Sequence, residues 1–298
     1  MARLVQRKYS LKSTEKTKAT KMSEETLAVI EGKAQKIKKA LQEAALSGTG
    51  DSYHDDVYFN IRDDVVNTVV GSPGNIVLSY CTFTSHFDNI EVQVEDTESV
   101  EAIIEVDKFL TYFGFTADTG DVRVSFRGNP DSRLATAIEI TGSLNARLMI
   151  PDSESILDEV PMNLPNSFNE EERYAPEERG EPPVKIKADT ESIERVIEVV
   201  EYDPEIDYYP VTVEEGELTL NVAQEDAPGR DSVWGSLNAH SVESPEDFTN
   251  HYHEGFTETF NSLSGEVELQ TAPSGAPVVV VKKADGRVLR HMLGPVGN

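Results

Sequence analysis

Cysteine is nearly absent from this 298-residue chain: Cys81 stands alone, and Trp234 is likewise its single tryptophan. One thiol excludes an intrachain disulfide and any zinc site built from several cysteines. It fits a reducing compartment, the cytoplasm of a cell or, for a viral chain, of its host. Long apolar runs are missing as well. No stretch approaches the roughly 18–20 residues that span a bilayer, and no apolar segment follows the basic N-terminus to make a secretory signal, so no membrane partner is expected. Catalytic signatures are also lacking: there is no Gly-rich phosphate loop with its lysine, no His-Glu-x-x-His and no nucleophile-elbow serine. Carboxylates are so dense that no pair of them is informative. His251-Tyr252-His253 holds two imidazoles with one residue between, which point apart on a helix, so no metal is expected there. The expectation is a protein that is not an enzyme, with no catalytic residue and no cofactor.

What the chain has in excess is negative charge. Asp and Glu number 54 against 27 Lys and Arg, a net charge of −27. Disorder accounts for such a balance in a chain poor in apolar residues. Here hydrophobic residues make up 38%, and Val, Ile and Leu recur in strand-like patterns throughout. Dense carboxylates, with few lysines outside two local clusters, fit a salt-adapted, halophilic origin better. At about 1 M salt the Debye length falls to roughly 3 Å, which screens acidic self-repulsion and equally weakens attraction to any polyanion.

Residues 1–23 stand apart, with Arg3, Arg7, Lys8, Lys12, Lys16, Lys18 and Lys21 against one acid, Glu15. They have the character of a basic flexible tail, either passively solvated or a nucleic-acid arm. From residue 24 the pattern is regular. Thr26–Ile30 has the composition of a strand and 33–46 that of a helix, with Ile37, Leu41 and Ala45 on one face and Ser47-Gly48 to stop it. Strands are expected at 57–61, 65–70, 75–83, 90–94 and 100–106, a short helix at 107–115, and strands at 122–127, 135–141 and 144–150. Prolines then break the rhythm. Pro151, Pro161, Pro165, Pro176, Pro182 and Pro183 stand among acids, which marks an exposed linker over 153–183, outside any core. Its stretch Ile156-Leu-Asp-Glu-Val-Pro-Met-Asn-Leu164 still carries apolar side chains, which suggests docking.

Beyond the linker the order returns. A strand at 184–187 leads to a helix at 190–202, striped by Ile193, Val196, Ile197 and Val200 after a cap at Asp189 or Thr190. Strands follow at 211–213, 218–222 and 233–240, a short helix at 251–263, and strands at 266–270, 278–282 and 288–293. The order strand, helix, strands, short helix, strands occurs twice, a duplicated architecture with one domain at 24–152 and a second at 184–298.

Three segments, in order and at corresponding places in that frame, resemble the PCNA-type DNA sliding clamps. Val69-Val-Gly-Ser-Pro-Gly-Asn-Ile-Val-Leu78 looks like a clamp turn and strand of the form Val-Asp-Pro-Ala-Asn-Val-Ala. Ser155-Ile-Leu-Asp-Glu-Val-Pro-Met-Asn-Leu-Pro165 resembles the interdomain connecting loop of archaeal clamps. Gly286-Arg-Val-Leu-Arg-His-Met-Leu-Gly-Pro295 resembles the ending in which a last strand runs into Leu-Ala-Pro. The acidic stretch Glu170–Glu181 has no counterpart. The resemblance implies an α+β fold of two topologically similar clamp domains, with helices lining a channel and antiparallel sheets outside. It implies a homotrimeric ring that encircles duplex DNA without reading its sequence, as a polymerase processivity factor in replication and repair. The partners it implies are DNA polymerase, clamp loader, ligase and nucleases, held through short docking motifs.

The resemblance also assigns three sets of residues. Helices at 33–46, 107–115, 190–202 and 251–263 would line the channel and bring Lys33, Lys36, Lys38, Lys39, Lys108 and Arg195 to phosphates; a solvated helix face is the other account of each. The third helix departs from the family, with Glu191, Glu194, Glu198 and Glu201 against Arg195, and the fourth has no Lys or Arg. A hydrophobic pocket under the loop would take partners at Ile76, Met162, Leu164, Met292, Leu293, Gly294 and Pro295, where methionine suits a surface that accepts several ligands; ordinary core and linker packing is the alternative. Subunits would join by edge strands, 144–150 beside 232–240, with Leu144, Arg147 and Leu148 against Val233, Trp234 and Leu237. Such pairing removes two exposed sheet edges; the alternative is that both strands are internal to a monomer. Two other readings of the whole chain remain. One is a monomeric processivity factor that holds DNA on a basic face, which this chain lacks outside its tail. The other is a β-rich structural assembly protein, which the linker and the duplicated order disfavour.

Overall fold

The computed structural model describes residues 24–47, 54–71, 77–94, 98–117, 119–150, 161–169, 174–175, 182–198, 208–222, 233–252, 255–273 and 275–295. The basic segment 1–23 and Ile76 lie outside the described residues, as does most of 170–181.

The first half runs β1 (Glu25–Lys33), α1 (Ala34–Ala45), β2 (Asp56–Arg62), β3 (Val65–Gly71), β4 (Val77–Phe83), β5 (Asn89–Val92), β6 (Val100–Glu105), α2 (Val106–Thr116), β7 (Asp121–Gly128), β8 (Ala135–Thr141) and β9 (Asn145–Met149). The second half runs β10 (Val184–Asp189), α3 (Thr190–Ile197), β11 (Tyr209–Glu214), β12 (Glu217–Val222), β13 (Val233–Ser236), β14 (Ala239–Glu243), β15 (Phe248–Tyr252), α4 (Phe256–Ser262), β16 (Glu266–Thr271), β17 (Val278–Ala284) and β18 (Arg287–Leu293). Both halves are one strand, a helix, five strands, a helix and three strands.

The ladders repeat too. β1 lies between β5 and β7, with β8 and β9 beyond; β10 lies between β14 and β16, with β17 and β18 beyond. β2 lies between β6 and β3, with β4 beyond; β11 lies between β15 and β12, with β13 beyond. All of these ladders are antiparallel. One more ladder joins the halves: β18 pairs with β4 from Arg287↔Phe83 to Leu293↔Val77, which makes a nine-stranded sheet from β14 to β6. The counterparts of these two strands, β9 and β13, each have a neighbour on one side only among the described residues.

Local chemistry explains the elements that set this frame. In α1, Ile37, Ala40, Leu41 and Ala44 recur at helical spacing and are buried, while Gln35, Lys36, Lys38 and Lys39 are exposed. The helix ends at Leu46, left-handed at φ 54°, whose N–H bonds to the Gln42 carbonyl. A left-handed non-glycine residue costs about 1–2 kcal/mol. Leu46 is 1% exposed, and burying a leucine contributes about 1.5–3 kcal/mol, so packing wins over the backbone preference. The domain seam demands a glycine. Gly255, φ 77°, precedes α4, and a Cβ there would run into the Val77 side chain and sit 3.5 Å from Leu293 Cδ2.

The sequence expectations need correction in three places. The helix expected over 251–263 starts only at Phe256, because His251 and Tyr252 complete β15 against Pro210 and Tyr209 of β11. The strand expected over 233–240 is two, β13 and β14, in different sheets; the chain crosses between them at Leu237, whose N–H bonds to the Leu218 carbonyl. The linker is not wholly outside a core. Leu164–Ser167 forms a 3-10 turn, and Leu164 is 6% exposed. The helix expected over 190–202 is described over Thr190–Ile197, and residues 199–202 lie outside the described residues.

Candidate docking face and nucleic-acid interface

Strand parity sorts the residues at the seam between the halves. Neighbouring residues in a strand point to opposite faces. Val77, Cys81 and Phe83 of β4 and Leu289 and Leu293 of β18 join Ile37, Ala40 and Leu41 of α1 in the main core. Leu78 and Met292 belong to a second cluster on the opposite face, with Tyr58, Val69, Ile103, Tyr80, Ile150, Leu164 and Phe168. This cluster spans both halves and the linker.

The linker is held there by a buried cation. Arg290, 1% exposed, faces Tyr80 across the β18·β4 ladder. Its guanidinium carbon lies 4.5 Å from the Tyr80 ring centroid and 5.2 Å from that of Phe168. It donates to the carbonyls of Tyr80 and Val288 and to Thr82 Oγ1. A desolvated cation over aromatic faces contributes about 2 kcal/mol. Phe168 also packs edge-on against Tyr174, and the Tyr174 N–H donates to Gln270 Oε1 at 2.8 Å. The linker turn is thus tied to β4, β18 and β16.

The structure therefore brings Leu164 and Met292 together. Met162, two residues before Leu164 in the chain, is 48% exposed, and Gly294 and Pro295 are half-buried after β18. Leu293 is a correction: fully buried, it points into the main core and cannot line a groove on the other face. Tyr58, Val69, Leu78, Ile103, Tyr80, Phe168 and Arg290 were not picked out from the sequence. Their signal is weak, because in the sequence they alternate with or stand among polar residues such as Asn60, Asn67 and Glu101.

The other side of the seam is polar. Ser79 Oγ lies 2.8 Å from His291 Nδ1 and 3.5 Å from His54 Nε2, and all three residues are buried. Burial pushes His54 down to about 4, and burial together with His54 pushes His291 down to about 3. Four residues before His291 on β18, Arg287 grips Glu43 of α1, with Nε 2.9 Å from Oε2, and both are buried. Burial pushes the Glu43 carboxyl above its ordinary range, against the pull of Arg287. Cys81, fully buried, has its thiol pushed up to about 12 and is chemically silent.

The cations proposed for nucleic acid lie on or beside the helices. Lys33 precedes α1 and lies 2.5 Å from Asp121. Lys39 is 3.8 Å from Glu43, Lys108 is 3.0 Å from Glu105, and Arg195 is 2.5 Å from Glu191. Lys36 and Lys38 are exposed on α1. Most of this positive charge is thus matched locally by acid. His251, set aside as a metal ligand, meets the Tyr208 hydroxyl at 2.6 Å through Nδ1.

At the edges, Trp234 on β13 is 70% exposed, and Leu144 and Met149 at β9 are 62% and 59% exposed. Phe115 and Tyr112 near the end of α2 are exposed as well, close to the turn where the Leu144 N–H meets the Thr116 carbonyl. Arg147 is held outside β9 by Glu24 and Glu139. Leu148 and Leu237 are corrections to the expected interface set: both are buried in the main core. Val233 takes its place in β13 opposite Val222.

No protein-family profile and no curated protein sequence matches the chain. Solved structures do. A PCNA from Entamoeba histolytica shares 11% identity at a TM-score of 0.65, over 92% of this chain and 100% of that one. The A. fulgidus PCNA, solved with the C-terminal region of FEN-1 bound, shares 12% at 0.63, over 91% and 99%. A PCNA2–PCNA3 complex from Sulfolobus tokodaii shares 14% at 0.63, over 90% and 99%. The duplicated strand–helix frame, the single seam between its halves and the near-complete coverage of these structures agree: the chain has the fold of the PCNA-type sliding clamps.

Proposed function

We propose that this protein is a DNA sliding clamp, a processivity factor that encircles duplex DNA and docks replication and repair proteins. The observation that carries the proposal is the duplication with one seam. β4 and β18 pair within the chain, while their counterparts β13 and β9 remain edges. Joining β9 of one chain to β13 of the next repeats the seam between chains. Such a head-to-tail contact closes into a ring when the rotation per chain allows it. The resemblance to PCNA supports three chains.

In that ring the helices face the duplex. Lys36 and Lys38 are the exposed cations of α1 that no ion pair occupies among the described residues, and contacts to phosphate carry no sequence preference. The matched charges at Lys33, Lys39, Lys108 and Arg195 leave little net attraction, so topology retains the DNA more than affinity does. The face formed by Leu164, Met292 and their neighbours takes short motifs from polymerase, clamp loader, ligase and nucleases, in the manner of the A. fulgidus PCNA with its FEN-1 segment.

Retention on DNA tests this. Loaded by a clamp loader onto a nicked circular plasmid, the protein is expected to stay bound through gel filtration in high salt and to be lost once the plasmid is cut to a linear form. Equal retention on circular and linear DNA would overturn encirclement and favour binding on an open face.

A further inference from the structure

The face that gathers around Leu164 is already covered, and by the chain itself. A docked motif binds chiefly through a few apolar anchors that bury themselves in well-packed sites. Here Tyr58, Val69, Leu78, Ile103 and Leu164 are buried, and Tyr80, Ile150, Phe168 and Met292 are partly buried. None of these residues is among the large hydrophobic ones that stand exposed.

Phe168 supplies much of the cover over the seam. Its ring centroid lies 5.8 Å from that of Tyr80 and 5.2 Å from the Arg290 guanidinium carbon. Tyr174 backs it from the other side at 5.8 Å, and the two residues face each other in an antiparallel bridge. The backbone around them is tied down: the Phe168 N–H donates to the Pro165 carbonyl, the Ala175 N–H to the Ser167 carbonyl at 2.7 Å, and the Tyr174 N–H to Gln270 Oε1 of β16.

This contact is built so that it can be given up. Arg290 donates to the carbonyls of Tyr80 and Val288 and to Thr82 Oγ1, all on β4 and β18, and its guanidinium stays over the Tyr80 ring. Losing Phe168 therefore removes one aromatic face and some apolar burial without stripping the buried cation of its acceptors. Leu164, 6% exposed, sits inside the cluster, whereas Phe168 lies at its margin and is only partly buried. The marginal residue is the one that leaves with the smaller loss of burial.

We propose, building on the docking role above, that Phe168, backed by Tyr174, is an internal competitor for the docking face. It lies over Tyr80 and Arg290 in the free chain and lifts off before a partner's apolar anchor is buried there. The affinity a partner shows is then its intrinsic affinity reduced by the fraction of chains that are open. Docking is held down by the chain's own linker, and any change that loosens the linker strengthens it.

A peptide of the FEN-1 C-terminal region, titrated into the full-length protein by calorimetry, tests this. Phe168→Ala removes the competitor and is expected to bind the peptide at least about fivefold more tightly than the wild type. Phe168→Trp offers Arg290 a better aromatic face and is expected to bind it more weakly. The indole so introduced gives a second readout, taken against the same titration of the wild type, whose one tryptophan is Trp234. Its emission is expected to move to the red and to open to iodide quenching as the peptide binds. Thermal melts check that both variants fold, and Phe168→Trp carries the test if Phe168→Ala does not. Unchanged or weaker binding by a folded Phe168→Ala, or an indole emission that stays put or moves to the blue, overturns the proposal and makes Phe168 part of the lining of the face. No binding by the wild type or either variant overturns the docking role itself.

Discussion

His54 and His291 sit neutral beside Ser79, with folded-state pKa values of about 4 and about 3 against an ordinary 6.5. On unfolding both regain their ordinary affinity for protons. The stability that comes from keeping them neutral is complete above pH 6.5. It falls as pH drops from there toward 4 and 3, by about 1.4 kcal/mol per pH unit for each histidine. His86, pushed down mainly by burial, acts in the same direction; Glu43, pushed up mainly by burial, acts in the opposite one. Urea midpoints measured from pH 7 to pH 4.5 are expected to fall steeply, and His54→Gln is expected to flatten the slope. An unchanged slope would place the protons elsewhere. Residue-level features such as these were not legible in the sequence, since nothing near His54 or His291 in the chain marks them as neighbours. The parity of Met292 and Leu293 was legible once 288–293 was taken as a strand: adjacent residues cannot both face one groove.

At the scale of elements, the linker turn is where the proposed docking is tested. Leu164 packs with Tyr58, Val69, Leu78 and Ile103 on the face away from the helices, and Met292 lies at its margin. Met292→Ala is expected to weaken binding of a FEN-1 C-terminal peptide at least about tenfold, the loss typical of a well-packed anchor, while the thermal midpoint changes little. Leu293→Ala is expected to destabilise the fold by about 2–5 kcal/mol without a specific effect on the peptide. Calorimetric titration alongside thermal melts separates the two, and the reverse pattern would put the groove on the other face. Much of the element order could be taken from the sequence, because α1 and α3 carry apolar stripes at helical spacing and the β2–β3 and β11–β12 hairpins turn on two residues. The misreadings have local causes. Residues 248–252 mix aromatic and polar side chains, so their strand shows only in the ladder to β11. The crossing at Leu237 has neither proline nor glycine at the bend. The candidate docking face could not be anticipated, because its apolar residues are scattered among polar ones such as Asn60, Asn67 and Glu101, and the returning linker is what gathers the second cluster.

The whole molecule is dominated by its charge. Seven of the 27 cations and one of the 54 acids fall in residues 1–23, so residues 24–298 carry 20 cations against 53 carboxylates. Chains of that charge repel one another at low ionic strength. Salt shortens the Debye length from about 8 Å at 0.15 M to about 3 Å at 1 M, which removes the repulsion and would leave the proposed edge contact between β9 and β13 of neighbouring chains intact. Association is therefore expected to strengthen with salt, the reverse of an interface held by opposite charges. The central claim, that the seam inside the chain is repeated between chains, is tested most directly by the absolute mass in solution. Light scattering after size exclusion would be run at about 0.15 M and at several molar KCl, conditions set by those screening lengths. The account predicts three chain masses at high salt, with partial dissociation at low salt. A single chain mass at both would contradict it.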